Sequence, residues 1–447
     1  MKVYNKKCDL TKSVAAHHHD SQRLVEQNER QNAMRIRVDA SSIIPGESAG
    51  IETYTYGLLN GLAAISAESM RVEVTIAQNT GSMWLREVPD EKVSWSEVEL
   101  PLSASRPLGR RLRKLLPAQA QRSALAARMS WALRNRANPV QDDADVTVYP
   151  FSPVPVRAPR SIVVLHDLRR FRPNTEPTNL NAMIRENVSR AGAVVTSWPH
   201  PYQHALETFP EARFKTAMIP LPVFNPPPPG IQPNSDPALL LFPSATGPDK
   251  NHPPLLEAMA LLPELCLVCP GPLVEPQAGV LLSRTSQLDL RGRVSFPGFV
   301  TSDELVSIYA RATAVVVPSI WEAASGAIFE AFSWGLPVAC ADVAPLRAQV
   351  AFSGAEVCFF DPADPQSIRD AVRRLLADRD RYAAASRLAG QRLATRTWRS
   401  TAEDYRAVFE WVAGGQVGSI PKSPFASLRD VSQLDEGERV QDNSKVV

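Results

Sequence analysis

Residues 315–338 indicate the fold class, and they read Val-Val-Val-Pro-Ser-Ile-Trp-Glu-Ala-Ala-Ser-Gly-Ala-Ile-Phe-Glu-Ala-Phe-Ser-Trp-Gly-Leu-Pro-Val. The pattern is that of an apolar strand, a short turn, a helix, a glycine that ends the helix, and another strand. Two carboxylates, Glu322 and Glu330, bracket the turn with seven residues between them. The unpaired N–H groups of a helix start suit phosphate oxygens, and carboxylates accept hydrogen bonds from hydroxyl groups. The stretch therefore predicts a site for a sugar attached to a phosphate.

This spacing, with its flanking residues, resembles the Glu-x7-Glu signature of the family 4 (group 1) glycosyltransferases. The usual family form is Glu-Gly-Phe-Gly-Leu-Pro-x-x-Glu-Ala, whereas residues 323–327 here are Ala-Ala-Ser-Gly-Ala. Taken alone, the spacing favours a solvated helix with two incidental glutamates, and the strand–turn–helix context reverses that preference. The resemblance covers about residues 34–412. It implies an α/β chain with the GT-B fold, in which two doubly wound Rossmann-like domains face each other across a cleft.

Length and composition are those of a two-domain globular protein. The chain has 447 residues, of which 44% are hydrophobic and 21% charged, as in soluble proteins. No apolar run approaches the ~18 residues that a membrane-spanning helix needs. The N-terminal residues are polar and lack the apolar core of a signal peptide. These observations predict a cytoplasmic protein, and a formal charge of +2 is too small to indicate a partner.

Alternating strand and helix patterns predict parallel sheets with helices on both faces. The predicted helices of the second half include Ser302–Arg311, Ile328–Trp334 and Pro365–Ala377. Between the two halves of this pattern, residues 225–230 read Asn-Pro-Pro-Pro-Pro-Gly, which cannot continue a helix or a central strand. The predicted organisation is a disordered tail at 1–33, an N-terminal acceptor-side domain at 34–222, a Pro-rich linker at 223–237, a C-terminal nucleotide-sugar-binding domain at 238–399, a helix at 400–413 that returns to the N-terminal domain, and a disordered tail at 414–447.

The resemblance also implies the residues that bind the donor. The loop Ser244–His252 resembles the family loop that ends in Lys-Asn, so Lys250 is expected to neutralise the donor diphosphate; an exposed loop lysine is the alternative. The family usually has an arginine five residues earlier, where this chain has Ala245. Glu330 is expected to accept hydrogen bonds from ribose hydroxyls and Glu322 to contact the sugar. The backbone amides expected to face the diphosphate are those of Ser325, Gly326 and Ala327.

Three further positions come from the same resemblance. His166 ends an apolar strand, where ligands bind in open parallel sheets, and the family carries a histidine there near the transferred sugar. A structural histidine that caps a loop is the alternative. Phe299 and Val300 resemble the family's Gly-Phe-Val loop near the nucleobase. Gly50 lies in a predicted loop, residues 45–51, which precedes a predicted helix from about Glu52 to Ala64 and resembles the family's first loop.

No metal or other cofactor is expected. Asp143-Ala144-Asp145 matches the Asp-x-Asp metal motif of the other large glycosyltransferase fold, but it precedes a predicted strand instead of following one. An acidic turn is the interpretation that this position favours. The helix dipole and Lys250 could stabilise a leaving diphosphate without a metal.

A basic amphipathic stretch lies in the first half. Residues 100–141 contain no Asp or Glu and nine Lys or Arg residues, all within 106–136 and interleaved with apolar residues at roughly helical spacing. This pattern favours binding to an anionic membrane surface, with a solvated helix as the alternative. No nucleic-acid-binding module is recognised.

The resemblance thus implies a retaining hexosyltransferase that moves a sugar from a GDP- or UDP-sugar to a hydroxyl of a glycan or lipid-linked acceptor. The expected process is cell-surface polysaccharide or lipopolysaccharide synthesis, by a mannosyltransferase-like enzyme in the cytoplasm or at the inner face of the cell membrane. Two alternatives are a GT-B nucleotide-sugar epimerase or hydrolase and a non-catalytic subunit of a glycan assembly complex.

Overall fold

The structure is a computed structural model. It describes residues 33–43, 49–66, 70–88, 92–98, 143–150, 160–172, 175, 178–231 and 236–428. The chain divides into two compact units. The first unit is Met1–Val164, Ala182–Ala193 and Arg406–Gly418, and the second is Leu165–Asn181, Val194–Tyr405 and Ser419–Val447.

Two parallel sheets form the framework of the fold. The strands are β1 (Met34–Asp39), β2 (Met70–Ala77), β3 (Val93–Val98), β4 (Val146–Tyr149), β5 (Ser161–Val164), β6 (Ala193–Thr196), β7 (Thr216–Met218), β8 (Leu239–Leu241), β9 (Cys266–Pro270), β10 (Val294–Gly298), β11 (Ala314–Val317), β12 (Val338–Ala341) and β13 (Cys358–Phe360). One sheet has the order β3-β2-β1-β4-β5-β6-β7 and the other the order β10-β9-β8-β11-β12-β13. This arrangement is the α/β class predicted from the sequence.

Helices connect most of the strands. The helices are α1 (Ala49–Ile65), α2 (Gly81–Trp84), α3 (Asn179–Arg190), α4 (Pro199–Thr208), α5 (His252–Ala260), α6 (Gln277–Gln287), α7 (Ser302–Arg311), α8 (Gly326–Ser333), α9 (Ala344–Ser353), α10 (Pro365–Ala377), α11 (Arg379–Ala394) and α12 (Trp398–Ala413). Strands joined in parallel need such crossover connections.

The order in which strands are added to the six-stranded sheet reverses between β8 and β11. From β8 the chain adds β9 and β10 on one side, and it then returns to add β11, β12 and β13 on the other. Side chains of β11 are fully buried, because helices cover both faces of a doubly wound sheet. In such sheets the crevice at the reversal point, beyond the carboxyl ends of the strands, is the usual place for a ligand. The loops after β8 and β11 lie at this point.

Local signals explain two helices whose predicted bounds are confirmed, α7 and α10. Thr301 accepts a hydrogen bond from the Glu304 amide while the Glu304 side chain accepts one from the Thr301 amide, which is a capping box. Helix α10 follows Asp364, whose side chain accepts from the Gln366 amide, and it begins with Pro365. An N-cap carboxylate followed by proline is a strong start signal.

Two predicted helix starts were wrong by two or three residues, and both affect site residues. Helix α8 begins at Gly326, not Ile328, with Ser325 in an extended conformation before it. Helix α1 begins at Ala49, not Glu52, so Gly50 lies in its first turn and not in the preceding loop. A glycine can adopt helical angles, although it is less favourable there than alanine. Both starts show small residues entering the helix.

The acidic turn before β4 has a structural role. Asp145 Oδ2 accepts a hydrogen bond from the Arg35 amide at 2.8 Å. Asp143 pairs with Arg35 at 2.9 Å and with Arg37 at 2.7 Å. These pairs fasten the turn to β1. In the described part of the chain, no group of three or more His, Cys, Asp or Glu side chains could hold a metal ion.

Several predictions concern residues outside the described part of the chain or stay predictions. The basic stretch 106–136 and both predicted tails, apart from residues 414–428 and Ala33, lie outside the described residues. None of the described helices combines the length and apolar character needed to span a membrane. The compact units assign residues 165–181 and 194–222 to the second unit, whereas the predicted N-terminal domain included them. The predicted domain boundaries stay a prediction.

Candidate functional site

The loops after β8 and β11 are tied together by Asn251. This residue has a left-handed backbone conformation, with φ 55°, which asparagine tolerates better than most residues. Its side-chain amide donates to the carbonyl oxygens of Pro318, at 3.1 Å, and Pro362, at 2.8 Å. The amide of Ile320 also donates to the Asp249 carbonyl at 3.0 Å. The loop carrying Lys250 is therefore held against the loop carrying the first glutamate of the signature.

Lys250 and Glu322 form an ion pair in this crevice. The Lys250 ammonium lies 2.5 Å from Glu322 Oε1, and the two side chains are 27% and 8% exposed. An ammonium has three donors, so two remain available beyond this contact. A bound phosphate could therefore be contacted by Lys250 without breaking the pair. The structure brings these two predicted residues together.

Glu330 lies on α8 and is buried, with 7% of its surface exposed. The Asn225 side-chain amide donates to its Oε1, and the Tyr309 hydroxyl donates to its Oε2, both at 2.6 Å. Burial raises the pKa of the Glu330 carboxyl above its ordinary value, although these two hydrogen bonds oppose the shift. Burial together with the neighbouring Glu330 raises the pKa of Tyr309. Each carboxylate oxygen has a second lone pair for a ligand hydroxyl.

The start of α8 differs in one respect from the predicted phosphate site. The Ser325 amide donates to Gln349 Oε1 at 2.7 Å, and the Gln349 side-chain amide donates back to the Ser325 carbonyl at 2.7 Å. The Ser325 amide is therefore already paired. The amides of Gly326 and Ala327 belong to the first turn, where no carbonyl lies further back in the helix to accept from them. A Cβ placed on Gly326 would lie 3.8 Å from Glu330 Oε1, so the helix start and this carboxylate are close.

A second cation beside this crevice, Arg169, was not predicted from the sequence. The Arg169 guanidinium pairs with Asp249 at 3.1 Å and with Asp167. Burial lowers the pKa of Arg169, but the carboxylates of Asp167, Asp249 and Glu322 outweigh this effect and raise it above its ordinary value. Arg169 therefore brings a positive charge into the electrostatic range of Glu322. Arg169 is 80 residues from Asp249 in sequence, and no local pattern could have indicated the pairing.

Trp321, next to Glu322, contacts the side chains of Asp167, Arg172, His200 and His204. Its indole N–H donates to Asp167 at 3.3 Å, and the Arg172 guanidinium lies 4.4 Å above its ring. His200 and His204 approach it edge-on, with ring centroids at 5.3 and 5.9 Å. Burial lowers the pKa of His200 to about 4, so this imidazole is neutral at pH 7.

His166 stands two residues beyond the end of β5 and is half-buried. It directly precedes Asp167, which receives the Trp321 hydrogen bond. His166 is therefore the sequence neighbour of a residue that contacts Trp321. Its contact with a transferred sugar stays a prediction.

The remaining predicted residues lie on two separate elements. Phe299 follows β10, and its side chain is 84% exposed, while Val300 is half-buried. Gly298, just before them, has φ +78°, a conformation that favours glycine. Gly50 is exposed in α1, and a Cβ there would meet nothing within 4 Å. Gly50 belongs to the first unit, and the other predicted site residues belong to the second.

A comparison with protein families matches the segment that contains Lys250, Glu322 and Glu330. Residues 228–392 match the family model described as glycosyl transferases group 1. Over 153 residues the chain is 33% identical to a D-inositol 3-phosphate glycosyltransferase of Corynebacterium urealyticum, across 33% of this chain and 35% of that relative. The chain therefore matches about a third of that relative's length.

Solved structures resemble the chain over a greater length. Sucrose-phosphate synthase from Thermosynechococcus elongatus has a TM-score of 0.63 at 16% identity, covering 86% of this chain and 100% of that chain. Anabaena HepE in complex with UDP-glucose has a TM-score of 0.59 at 16% identity, covering 83% and 98%. Identities this low show the fold alone, and that fold is the predicted GT-B class. The chain therefore has the GT-B fold, and its residues 228–392 match the glycosyl transferases group 1 model.

Proposed function

We propose that the protein is a retaining hexosyltransferase of the family 4 type. It transfers a sugar from a GDP- or UDP-sugar to a hydroxyl of a glycan or lipid-linked acceptor. The observation that carries this proposal is the convergence of the Lys250–Glu322 pair, the start of α8 and Glu330 within the matched segment. Cations and helix amides suit a diphosphate, and carboxylates suit hydroxyls.

The proposed reaction would use the cation and helix amides at one end of the site and the carboxylates for the hydroxyl groups. As the bond between the anomeric carbon and the phosphate oxygen breaks, negative charge grows on the leaving diphosphate. Lys250 and the first amides of α8 would stabilise that charge. The acceptor oxygen forms the new bond to the same carbon, and its proton passes to the leaving phosphate oxygen. Glu322 and His166 would orient the sugar, and no metal is assigned a role.

Calorimetry with UDP-glucose, UDP-galactose, GDP-mannose and ADP-glucose tests donor binding. The wild type is expected to bind at least one of the UDP- and GDP-sugars. Glu330→Gln should bind it about 10-fold more weakly, the cost of about one charged hydrogen bond. Glu410→Gln, on the exposed face of α12, is the control and should match the wild type. Lack of binding by the wild type, or equal binding by Glu330→Gln, would refute the proposal.

Product analysis separates the alternatives. Incubating the bound donor with a lipid-linked glycan extract should yield a glycosylated acceptor with the donor's anomeric configuration. Free sugar or an epimerised nucleotide sugar formed without acceptor would instead indicate a hydrolase or epimerase. Binding without turnover would indicate a non-catalytic subunit.

The place of this reaction in cell-surface polysaccharide or lipopolysaccharide synthesis, on the cytoplasmic face of the membrane, is part of the same proposal. Its support is the basic stretch 106–136, because Lys and Arg beside apolar residues favour anionic lipid surfaces. Co-sedimentation with anionic vesicles should exceed that with neutral ones, and equal binding to both would refute membrane recruitment.

A further inference from the structure

Asn225 places an exposed amide group directly beside a buried carboxylate. It lies in the Pro-rich segment of residues 220–230, here called the connector, and is solvent-exposed. Its Nδ2 is nevertheless 2.6 Å from Oε1 of Glu330. These residues are 105 positions apart in sequence. The contact therefore results from the fold, and nothing in the sequence predicted it.

The connector is fixed independently of this contact. The Arg396 guanidinium, which pairs with Asp404 at 2.7 Å, donates to the Pro220 carbonyl at 2.7 Å. Phe224 stacks on Trp398 with a centroid distance of 6.2 Å and an interplanar angle of 6°. The side-chain amide of the next residue, Asn225, is thus oriented before any ligand binds. Preorganised groups lose less entropy on binding.

The carboxylate is oriented from its other side by Tyr309. The Tyr309 hydroxyl contacts Oε2 at 2.6 Å, and its ring stacks on Trp334 with an interplanar angle of 7°. Tyr309 is only 1% exposed, so no ligand reaches its hydroxyl. Tyr309 is therefore a positioning residue, whereas Asn225 is accessible.

The two accessible groups complement each other chemically. A carboxylate only accepts hydrogen bonds, whereas an amide retains a second N–H donor and a carbonyl acceptor after one N–H is used. A sugar hydroxyl both donates and accepts. It can therefore donate to Glu330 and accept from Asn225 at the same time, and the carboxylate alone could not supply that donor.

We propose that Asn225 is a further recognition residue of this site, and that by contacting a hydroxyl bound to Glu330 it makes the site select ribose over deoxyribose. The ligand class is the ribose of a nucleoside diphosphate whose phosphates lie at the start of α8. Gly326 is one helical turn before Glu330, which matches the closeness of a ribose to its attached phosphates. This inference rests on the proposed donor site and adds a residue from the connector to it.

The test compares affinities of the wild type and Asn225→Ala for UDP and GDP and for their 2′-deoxy and 3′-deoxy forms. The wild type should prefer the ribose form. Asn225→Ala should bind the ribose form about 3- to 10-fold more weakly, as expected for one hydrogen bond. It should change the affinity for at least one deoxy form much less, so that the preference falls. Asn225→Asp should bind more weakly still, because it places a second carboxylate beside Glu330.

Two further variants make the result decisive. Asn225→Ser retains a short donor and should recover part of the preference, and Gln366→Ala removes an exposed amide elsewhere and should change nothing. If the wild type binds nucleoside diphosphates and Asn225→Ala keeps both the affinity and the preference, the inference is overturned while the proposed function stands. If the wild type binds none of these nucleotides, both are overturned.

Discussion

Glu322 and Glu330 are eight residues apart and almost equally buried, with 6% and 7% of the whole residue exposed, yet their hydrogen-bond partners differ in charge. Glu322 is paired with the ammonium of Lys250. Glu330 is paired with two neutral donors, an amide and a phenol. One end of the site is therefore balanced in charge, while the other holds a carboxylate whose pKa is raised by burial. The same residue type thus occurs once beside a cation and once among neutral donors.

The largest expected effect comes from breaking the ion pair. Lys250→Met leaves the Glu322 carboxylate buried without its cation. We expect kcat/KM for sugar transfer to fall about 100-fold or more, because a preorganised charge at the leaving group is lost. The free energy of unfolding should fall by about 1–3 kcal/mol, less than for fully buried pairs because Lys250 is 27% exposed. Steady-state kinetics and urea unfolding measure the two effects.

A second variant separates charge from packing. The double variant Lys250→Met/Glu322→Gln removes the uncompensated carboxylate, so it should recover stability relative to Lys250→Met but not activity. Lys422→Met, at an exposed position, is the control. If the double variant is no more stable than the single variant, the ion pair does not determine stability at this end.

Glu330→Gln should change stability in a pH-dependent way. Because burial raises the pKa of folded Glu330 above its unfolded value of 4.5, the folded state binds this proton more tightly. Its contribution to stability is fully present below pH 4.5 and is lost as the pH rises through the folded pKa. Glutamine carries no charge at any of these pH values. The variant should therefore have a higher Tm than the wild type at pH 7–8, and the difference should shrink towards pH 5.

The same measurement on Glu322→Gln sharpens the contrast between the two carboxylates. That variant leaves Lys250 without its carboxylate and should lower the Tm at pH 7. A Tm difference for Glu330→Gln that stays constant from pH 5 to pH 8 would contradict the account of its surroundings.

The smallest expected effect comes from Tyr309→Phe, which removes one hydroxyl. The Glu330 carboxylate loses a buried donor, so the free energy of unfolding should fall by about 1–2 kcal/mol. Because that hydrogen bond lowers the pKa of Glu330, its loss should shift the acid limb of donor binding to higher pH. Calorimetric affinities at pH 6 and pH 8 measure this, and Tyr382→Phe, which is half-buried on α11, is the control. An unchanged pH profile would show that Tyr309 does not position the carboxylate.

The parts of the fold that the sequence predicted well have strong local signals. The Thr301–Glu304 capping box and Asp364-Pro365 define the starts of α7 and α10. Strand β3 was not predicted, although Val93–Val98 alternates polar and apolar residues, as a half-buried strand does. The predicted starts of α1 and α8 were late because small residues give no clear boundary.

Prediction of the candidate site was limited in the same way as prediction of the fold. The resemblance indicated Lys250, Glu322 and Glu330 one at a time, but not that the first two form a pair 72 residues apart in sequence. It also gave no sign of Asn225, Tyr309 or Gln349. Their contacts depend on how strands and helices pack over long sequence separations, which local patterns do not encode.

The most direct test of the central claim is a crystal structure of the protein with a nucleoside diphosphate that it binds. We predict phosphate oxygens within about 3.2 Å of the Gly326 or Ala327 amides and of the Lys250 ammonium, and a ribose hydroxyl hydrogen-bonded to Glu330. A nucleotide bound without contact to either the start of α8 or Glu330 would contradict the account.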